Sequence, residues 1–403
     1  MDIHNYEKQY ESALDQVRGA QISAKNKELI LRFNEALVLE NISKPRLVKY
    51  LNTLKIVAER ISKDFDETSI EDVKSFISKI QQSNLSPWTK QGYKVIIRRF
   101  YKWIKGTEEY PDIVKWINIG ISRCEKRLPS EGELLTEDDV QKLVRLSDHP
   151  RDKAFVSVLW ESGARVSEIG NLCIRNVSFD KYGVVISVKG KTGSRKIRMI
   201  SSTPYLSTWI NSHPFREDNN SPLWVNIGQT NHNKVMCYGA IRKLLENLFK
   251  KVGIKKRFNP HIFRHSRATY MANHLTEFQM NQYFGWIQGS DMPSTYVHMS
   301  GREVDDAVLA MNGIKNEEKK DESKLLPRIC SRCDTINSNE FKHCSKCGGI
   351  LDLKYAMELE ERKEQQEKLR ANSDQMMNML MQDKEVQAFL MEKLKGIGLN
   401  HTV

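Results

Sequence analysis

The chain has 403 residues, enough for two or three domains each with its own core, and a formal net charge of +12 at pH 7. No run approaches the length of a membrane span, and the first residues, MDIHNYEKQYESALDQ, are too charged for a secretory signal, so a soluble, cytoplasmic protein is expected. The charge is uneven: residues 1–133 hold 23 Lys and Arg against 19 Asp and Glu (+4), 134–312 hold 24 against 16 (+8), and 313–403 hold 16 of each. A basic body with a neutral tail points to a polyanion, and nucleic acid is the commonest in a cell; a basic surface that serves only solubility is the competing reading.

Residues 20–105 read as helices with short connections. KNKELILRFNEALVLEN and ISKPRLVKYLNTLKIVAERI have helical apolar spacing, and SIEDVKSFISKIQ opens on a Ser with an acidic first turn. In LSPWTKQGYKVIIRRFYKWIK, Ser86 is the expected N-cap and Pro87 the first helical residue. At 100° per residue, Tyr93, Ile96, Ile97, Phe100, Trp103 and Ile104 form one apolar arc, with Lys90, Lys94, Arg98 and Lys102 on the arc beside it. That basic stripe is a candidate phosphate-contacting surface, or simply the solvated face of a packed helix.

RCEKRLPSEGELLTEDD (123–139) reads as a linker running into a helix capped by Thr136, with Asp138 and Asp139 in its first turn. Beyond it come the helical segments TEDDVQKLVRL and RDKAFVSVLWESG, then two β-branched runs around a Lys-Thr-Gly-Ser turn, a hairpin signal, and further helices. The expected fold class is therefore mainly α with a small antiparallel β-sheet.

Chemistry-bearing residues recur through this second region. Arg165 and Glu168 follow the helix-breaking Gly163; Lys191 stands at the hairpin turn; His261 and Arg264, three apart, share one helix face. Trp286 and Tyr296 then fall in FGWIQGSDMPSTYVHMS. Singly, each reads as an ordinary surface, capping or packing residue. In this order and spacing they resemble the tyrosine recombinase (integrase) family, whose signature is an Arg at a helix break, a Lys on a hairpin, His-x-x-Arg, and Gly-His or Gly-Trp about ten residues before a Tyr. The resemblance covers roughly residues 20–312. The wording GKTGSRKIRMI and GSDMPSTYVHMS, with a zinc ribbon appended, looks most like archaeal and archaeal-element integrases.

The resemblance implies a helical core-binding, DNA-clamping domain (1–130) and a mixed α/β catalytic domain (134–312). It implies Tyr296 as nucleophile, Arg165 and Arg264 as forked donors to the non-bridging phosphate oxygens, and His261 as the group assisting the tyrosine. Lys191 would protonate the leaving 5′ hydroxyl, the Trp286 indole would donate to a phosphate oxygen, and Glu168 would orient the arginines. His265 and His298 read as neighbours that pack or support. No catalytic cofactor is implied. Family members act as tetramers on paired double-stranded DNA sites, some with accessory proteins.

After a charged linker (313–328), Cys330-x-x-Cys333 and Cys344-x-x-Cys347 form a closed four-thiolate zinc pattern, a structural ribbon over 329–353 with His343 as a spare ligand. The remaining residues, 354–403, read as a Met- and Glu-rich helical segment with Val386, Phe389, Leu390 and Leu394 at helical spacing: a short coiled coil, a helix that docks on a neighbouring protomer, or a solvated helix. The expected function is site-specific DNA recombination through a 3′-phosphotyrosyl intermediate, integrating or excising a mobile element. Rivals are an Xer-like chromosome-dimer resolvase, a type IB topoisomerase-like strand swivel, and a non-catalytic DNA-binding regulator on the same fold.

Overall fold

The computed structural model describes residues 2–122, 129–229, 231–299, 308, 311–312 and 325–396, with the side chains of 131, 297–299, 391 and 394–396 left aside. The front lobe is built from α1 (Tyr6–Arg18), α2 (Ala24–Leu39), α3 (Lys44–Ile61), α4 (Ile70–Gln82), α5 (Pro87–Lys105) and the single turn α6 (Asp112–Lys115). Polar caps set these helices off from one another. The Ser23, Ser69 and Ser86 side chains each accept a first-turn amide, and Asp72 returns its carboxylate to the Ser69 amide. On α5 the expected apolar arc is the buried one. Ile96, Ile97 and Phe100 are inside a core with Phe33, Leu54, Phe65 and Phe76, and Tyr93, Trp103 and Ile104 pack at its edge.

The second lobe contains α7 (Glu137–Arg145), α8 (Pro150–Ser162), α9 (Val166–Gly170), strands β1 (Val177–Asp180), β2 (Gly183–Gly190) and β3 (Gly193–Met199), then α10 (Thr203–Asn211), α11 (Tyr238–Val252), α12 (Pro260–Ala272), α13 (Glu277–Phe284) and α14 (Met292–Met299). The three strands are antiparallel in sequence order. Gly190 pairs with Gly193, leaving Lys191 and Thr192 as a two-residue turn, and Val188 opposes Arg195. Val184, Ile186, Val188, Ile197 and Met199 turn one face of the sheet into the core of α8, α10 and α11. β1 is an element that the sequence reading passed over, since VSFD is too short to show a period.

Ile3 belongs to this second core although α1, only three residues further on, packs on α3 of the front lobe. Its amide donates to Asn171 Oδ1 at 3.1 Å, and its carbonyl accepts from the Tyr238 amide at 2.9 Å. The chain therefore crosses between the two cores at its start as well as through residues 118–133.

A short sheet, β4 (Arg328–Ile329) and β5 (Ile336–Asn337), carries the cysteine segment and leans on α10: the Tyr205 and Ser338 hydroxyls bond at 2.7 Å, and the Tyr205 and Phe341 rings meet edge to face. The helices Leu353–Gln382 and Lys384–Gly396 follow, separated at Asp383; no side chain of the first is buried. Leu394 lies outside the described side chains, and Phe389 is exposed. No helix among the described residues is long and apolar enough to cross a membrane.

Candidate active site

Helix α8 ends at Gly163, whose positive φ of 53° closes the helix in the left-handed region; an added Cβ would meet Phe284 at 2.6 Å. The chain then turns directly into α9 with Arg165 as N-cap, and Glu168 sends a carboxylate oxygen back to the Arg165 amide at 2.9 Å. The other oxygen accepts from Arg165 Nη1 at 3.1 Å. Glu168 is almost fully buried; burial pushes its carboxyl up, but the bonds from Arg195, then Arg165, outweigh this and hold it below the usual carboxylate range.

Helix α12 starts at Asn259, which caps the Ile262 amide, and at Pro260 in the first turn. Arg264 points from it into the protein and is buried. Its Nη1 donates to the Gly163 carbonyl at 3.0 Å and its Nη2 to the Phe284 carbonyl at 2.8 Å. The stacked Phe284 and Trp286 rings lie 5.2 and 5.3 Å from the cation. Burial, with Arg165 as the next cause, lowers its pKa to about 10, which leaves it a cation at neutral pH. His261, exposed at the helix start, is held below its ordinary pKa by desolvation and then by Arg264 and Arg165.

Tyr296, on α14, is 1% exposed. Its ring lies parallel to that of Trp286, centroids 5.4 Å apart, and its hydroxyl bonds His265 Nδ1 at 2.6 Å. Here the structure departs from the sequence reading, which gave the assisting part to His261 and a packing part to His265. The two histidines lie four residues apart on one helix face, so periodicity alone could not separate them; docking of α14 against the later turn does. Burial drives the pair in opposite directions, Tyr296 up to about 12 and His265 down to about 4, with His261 and Arg264 adding to the second shift and Arg264 opposing the first. The phenol is thus protonated and the imidazole neutral at pH 7. The His298 side chain lies outside the described residues.

Trp286, whose indole is expected to donate to a phosphate oxygen, has its ring between Phe284 and Tyr296 as a stacking layer. The fold thus gathers Arg165, Glu168, His261, Arg264, Trp286 and Tyr296. Lys191 stays exposed at the hairpin tip, which Thr192 fastens by donating to the Gly285 carbonyl at 2.8 Å. On α5, Lys90 donates to the Gln81 carbonyl, and Arg98 lies 3.9 Å over the Tyr110 ring with Lys102 at 5.5 Å, so part of the basic stripe is engaged within the protein.

The His265 shift carries a stability consequence. With a folded pKa of about 4 against about 6.5 unfolded, the unfolded state binds more protons between these values, so stability is full above pH 6.5 and falls as pH drops towards 4. Denaturant unfolding at pH 7.5 and pH 5 should show a loss of about 1–3 kcal/mol that shrinks in His265→Gln. An equal loss in that variant would remove His265 as its source.

The four ribbon cysteines place their Sγ atoms within 4.8 Å of one another. The Cys330–Cys347 and Cys333–Cys344 sulfurs are each 3.6 Å apart, near the ~3.8 Å edge of a tetrahedron with zinc–sulfur bonds of about 2.3 Å. The Lys346 amide and Asn337 Nδ2 approach Cys344 Sγ at 3.4 and 3.6 Å, as donors to a thiolate do. These residues fit a structural zinc ion. His343 stands outside the cluster, edge-on to Tyr355.

Residues 133–303 match the phage integrase family. Over this region and the front lobe the chain is similar to tyrosine recombinases. Among its relatives is tyrosine recombinase XerA of Pyrococcus horikoshii, 29% identical over 266 residues that cover 64% of this chain and 84% of the relative. Tyrosine recombinase XerC of Bacillus subtilis is 26% identical over 298 residues, 68% of this chain and 92% of the relative. Solved structures share the fold: XerH site-specific recombinase bound to palindromic difH substrate (TM-score 0.54, 16% identity, 77% of this chain and 97% of that one) and the Tn1549 transposon integrase in complex with a circular intermediate DNA (TM-score 0.55, 15% identity, 72% and 100%).

Proposed function

We propose that this protein cleaves and rejoins double-stranded DNA at specific sites through a 3′-phosphotyrosyl bond to Tyr296, integrating or excising a mobile element. The observation that carries this reading is the Tyr296 hydroxyl hydrogen-bonded to His265 on the same helix that presents Arg264. Tyr296 Oη attacks the scissile phosphorus as its proton passes to His265 Nδ1. The 5′ oxygen departs and takes a proton from Lys191, and Arg165 and Arg264 meet the charge on the non-bridging oxygens. With the phenol raised and the imidazole lowered, proton transfer belongs to the attack itself, not to a tyrosine ionised beforehand. Tyr296 is almost fully buried, so its hydroxyl must be uncovered before a phosphate reaches it. Reversal with a 5′ hydroxyl of another strand reseals the DNA.

The +8 balance of residues 134–312 supports a polyanion partner, and several solved structures of this fold hold DNA. Lys90, Lys94, Arg98 and Lys102 are proposed as front-lobe phosphate contacts, and assembly as a tetramer on paired sites, with or without an accessory protein, as the working form, nucleoid-associated in the cell. The unburied helix Leu353–Gln382 supplies a surface for such contacts. Zinc in the ribbon would fix its loops against Tyr205 and takes no part in the chemical steps. Resolution of chromosome dimers is the second reading, favoured by relatives named XerA, XerC and XerD.

A nicked suicide duplex of a verified target site tests the reading. The protein is expected to form a covalent DNA adduct on a denaturing gel that Tyr296→Phe does not form. No adduct from the unaltered protein would overturn the assignment as an enzyme.

A further inference from the structure

Arg195 was not singled out by any motif, yet it makes three side-chain hydrogen bonds beside the site. On β3 it precedes Ile197 and Met199 by two and four residues, so it falls on the face of the strand that enters the core. A cation at such a register position needs an anionic partner. It has one. Arg195 Nη1 and Nη2 each donate to a different oxygen of buried Glu168, both at 2.9 Å, while Nε donates to the Tyr283 carbonyl at 2.9 Å. The side chains are 11% and 1% exposed. Backbone room has been left for this pair: a Cβ on Gly190 would stand 2.1 Å from Glu168 Oε1, and one on Gly285 2.7 Å from Arg195 Nη1.

The arrangement settles how Glu168 is shared. Arg195 takes both carboxylate oxygens in a fork, the geometry a lone Arg–carboxylate pair prefers. Arg165 is left with one side-chain bond, from Nη1 at 3.1 Å, and its side chain remains 29% exposed. Its Nε and Nη2 edge is thereby not drawn onto the carboxylate. We propose that Arg195 is a positioning residue: by occupying Glu168 it holds the Arg165 fork open towards the scissile phosphate. It also ties the hairpin bearing Lys191 to the segment leading into Trp286 and Tyr296. This rests on the recombinase reading above.

Single-turnover cleavage by the full chain tests it, on nicked duplexes carrying either a phosphate or a neutral methylphosphonate at the scissile position. The methylphosphonate lacks the second anionic oxygen whose charge the Arg165 fork neutralises. Arg195→Met is expected to slow cleavage of the phosphate duplex by about 10–100-fold, and of the methylphosphonate duplex by less than about 3-fold. Arg195→Lys keeps the charge but not the fork; it is expected to show the same asymmetry at smaller size, with a melting temperature lowered less than in Arg195→Met. If Arg195→Met unfolds, the lysine variant decides. Equal slowing on both duplexes, or no slowing on the phosphate duplex, would overturn the proposal. A lack of adduct from the unaltered protein, by contrast, would overturn the recombinase reading itself.

Discussion

Arg264→Ala should slow strand cleavage by about 10²–10³-fold in single-turnover measurements, with DNA binding changed far less. The guanidinium is buried, aligned by two backbone carbonyls and packed beside two aromatic rings, so in the proposed reaction it would meet a phosphate already oriented. Such preorganised donors act mainly where charge develops in the transition state. The same change leaves the Gly163 and Phe284 carbonyls without that donor, each costing about 1–3 kcal/mol. A lower melting temperature should therefore accompany the catalytic loss. Arg264→Lys preserves a cation but cannot bridge both carbonyls, and should recover little of the rate. A variant that cleaves within about threefold of the unaltered protein would show that Arg264 is scaffolding only.

The second large effect is on stability. Glu161, at the end of α8, accepts hydrogen bonds from the amides of Ile200, Ser201 and Ser202 at 2.6, 3.0 and 2.7 Å and from the Ser202 hydroxyl at 2.6 Å. It is 8% exposed, and the amides lead directly into α10, so its charge also sits at the favourable end of that helix. Its backbone carbonyl accepts from Arg267 Nε at 3.1 Å and the Tyr283 hydroxyl at 2.7 Å. Glu161→Ala strips partners from three amides and a hydroxyl, and a loss of about 3–5 kcal/mol is expected, on the order of 10 °C in the melting temperature of a lobe this size. Glu161→Gln, which keeps one accepting oxygen, should lose about half as much. A loss under about 1 kcal/mol for the alanine variant would show that water replaces the carboxylate.

The candidate site was legible through its resemblance, in order and spacing, to the tyrosine recombinase signature: Arg165 after a glycine break, Lys191 at a tight turn, His261 and Arg264 three apart. Local signals also carried the helix starts, since Ser69, Ser86 and Thr136 each cap their own first turn within a few residues. What was not legible depends on how distant segments meet. His265 rather than His261 faces Tyr296 because α14 packs on the later turn of α12, a contact spanning 31 residues. Trp286 became a stacking layer because Phe284 and Tyr296 approach it from either side. Arg195 and Glu161 belong to no motif. Arg195 did leave a trace, a cation in alternation with Ile197 and Met199, but only its partner 27 residues upstream gives that position meaning. Ile3 is a stronger case, an apolar residue in a polar N-terminal stretch whose core lies in the other lobe.

The proposed chemistry turns on one bond, from Tyr296 Oη to phosphorus. The unaltered protein is trapped on a nicked target duplex, the adduct digested with nuclease and protease, and the modified peptide located by mass spectrometry. A nucleotide 3′-phosphate is expected on the peptide that contains Tyr296. A nucleotide attached through its 5′ end, or carried by any other of the 13 tyrosines, would contradict it.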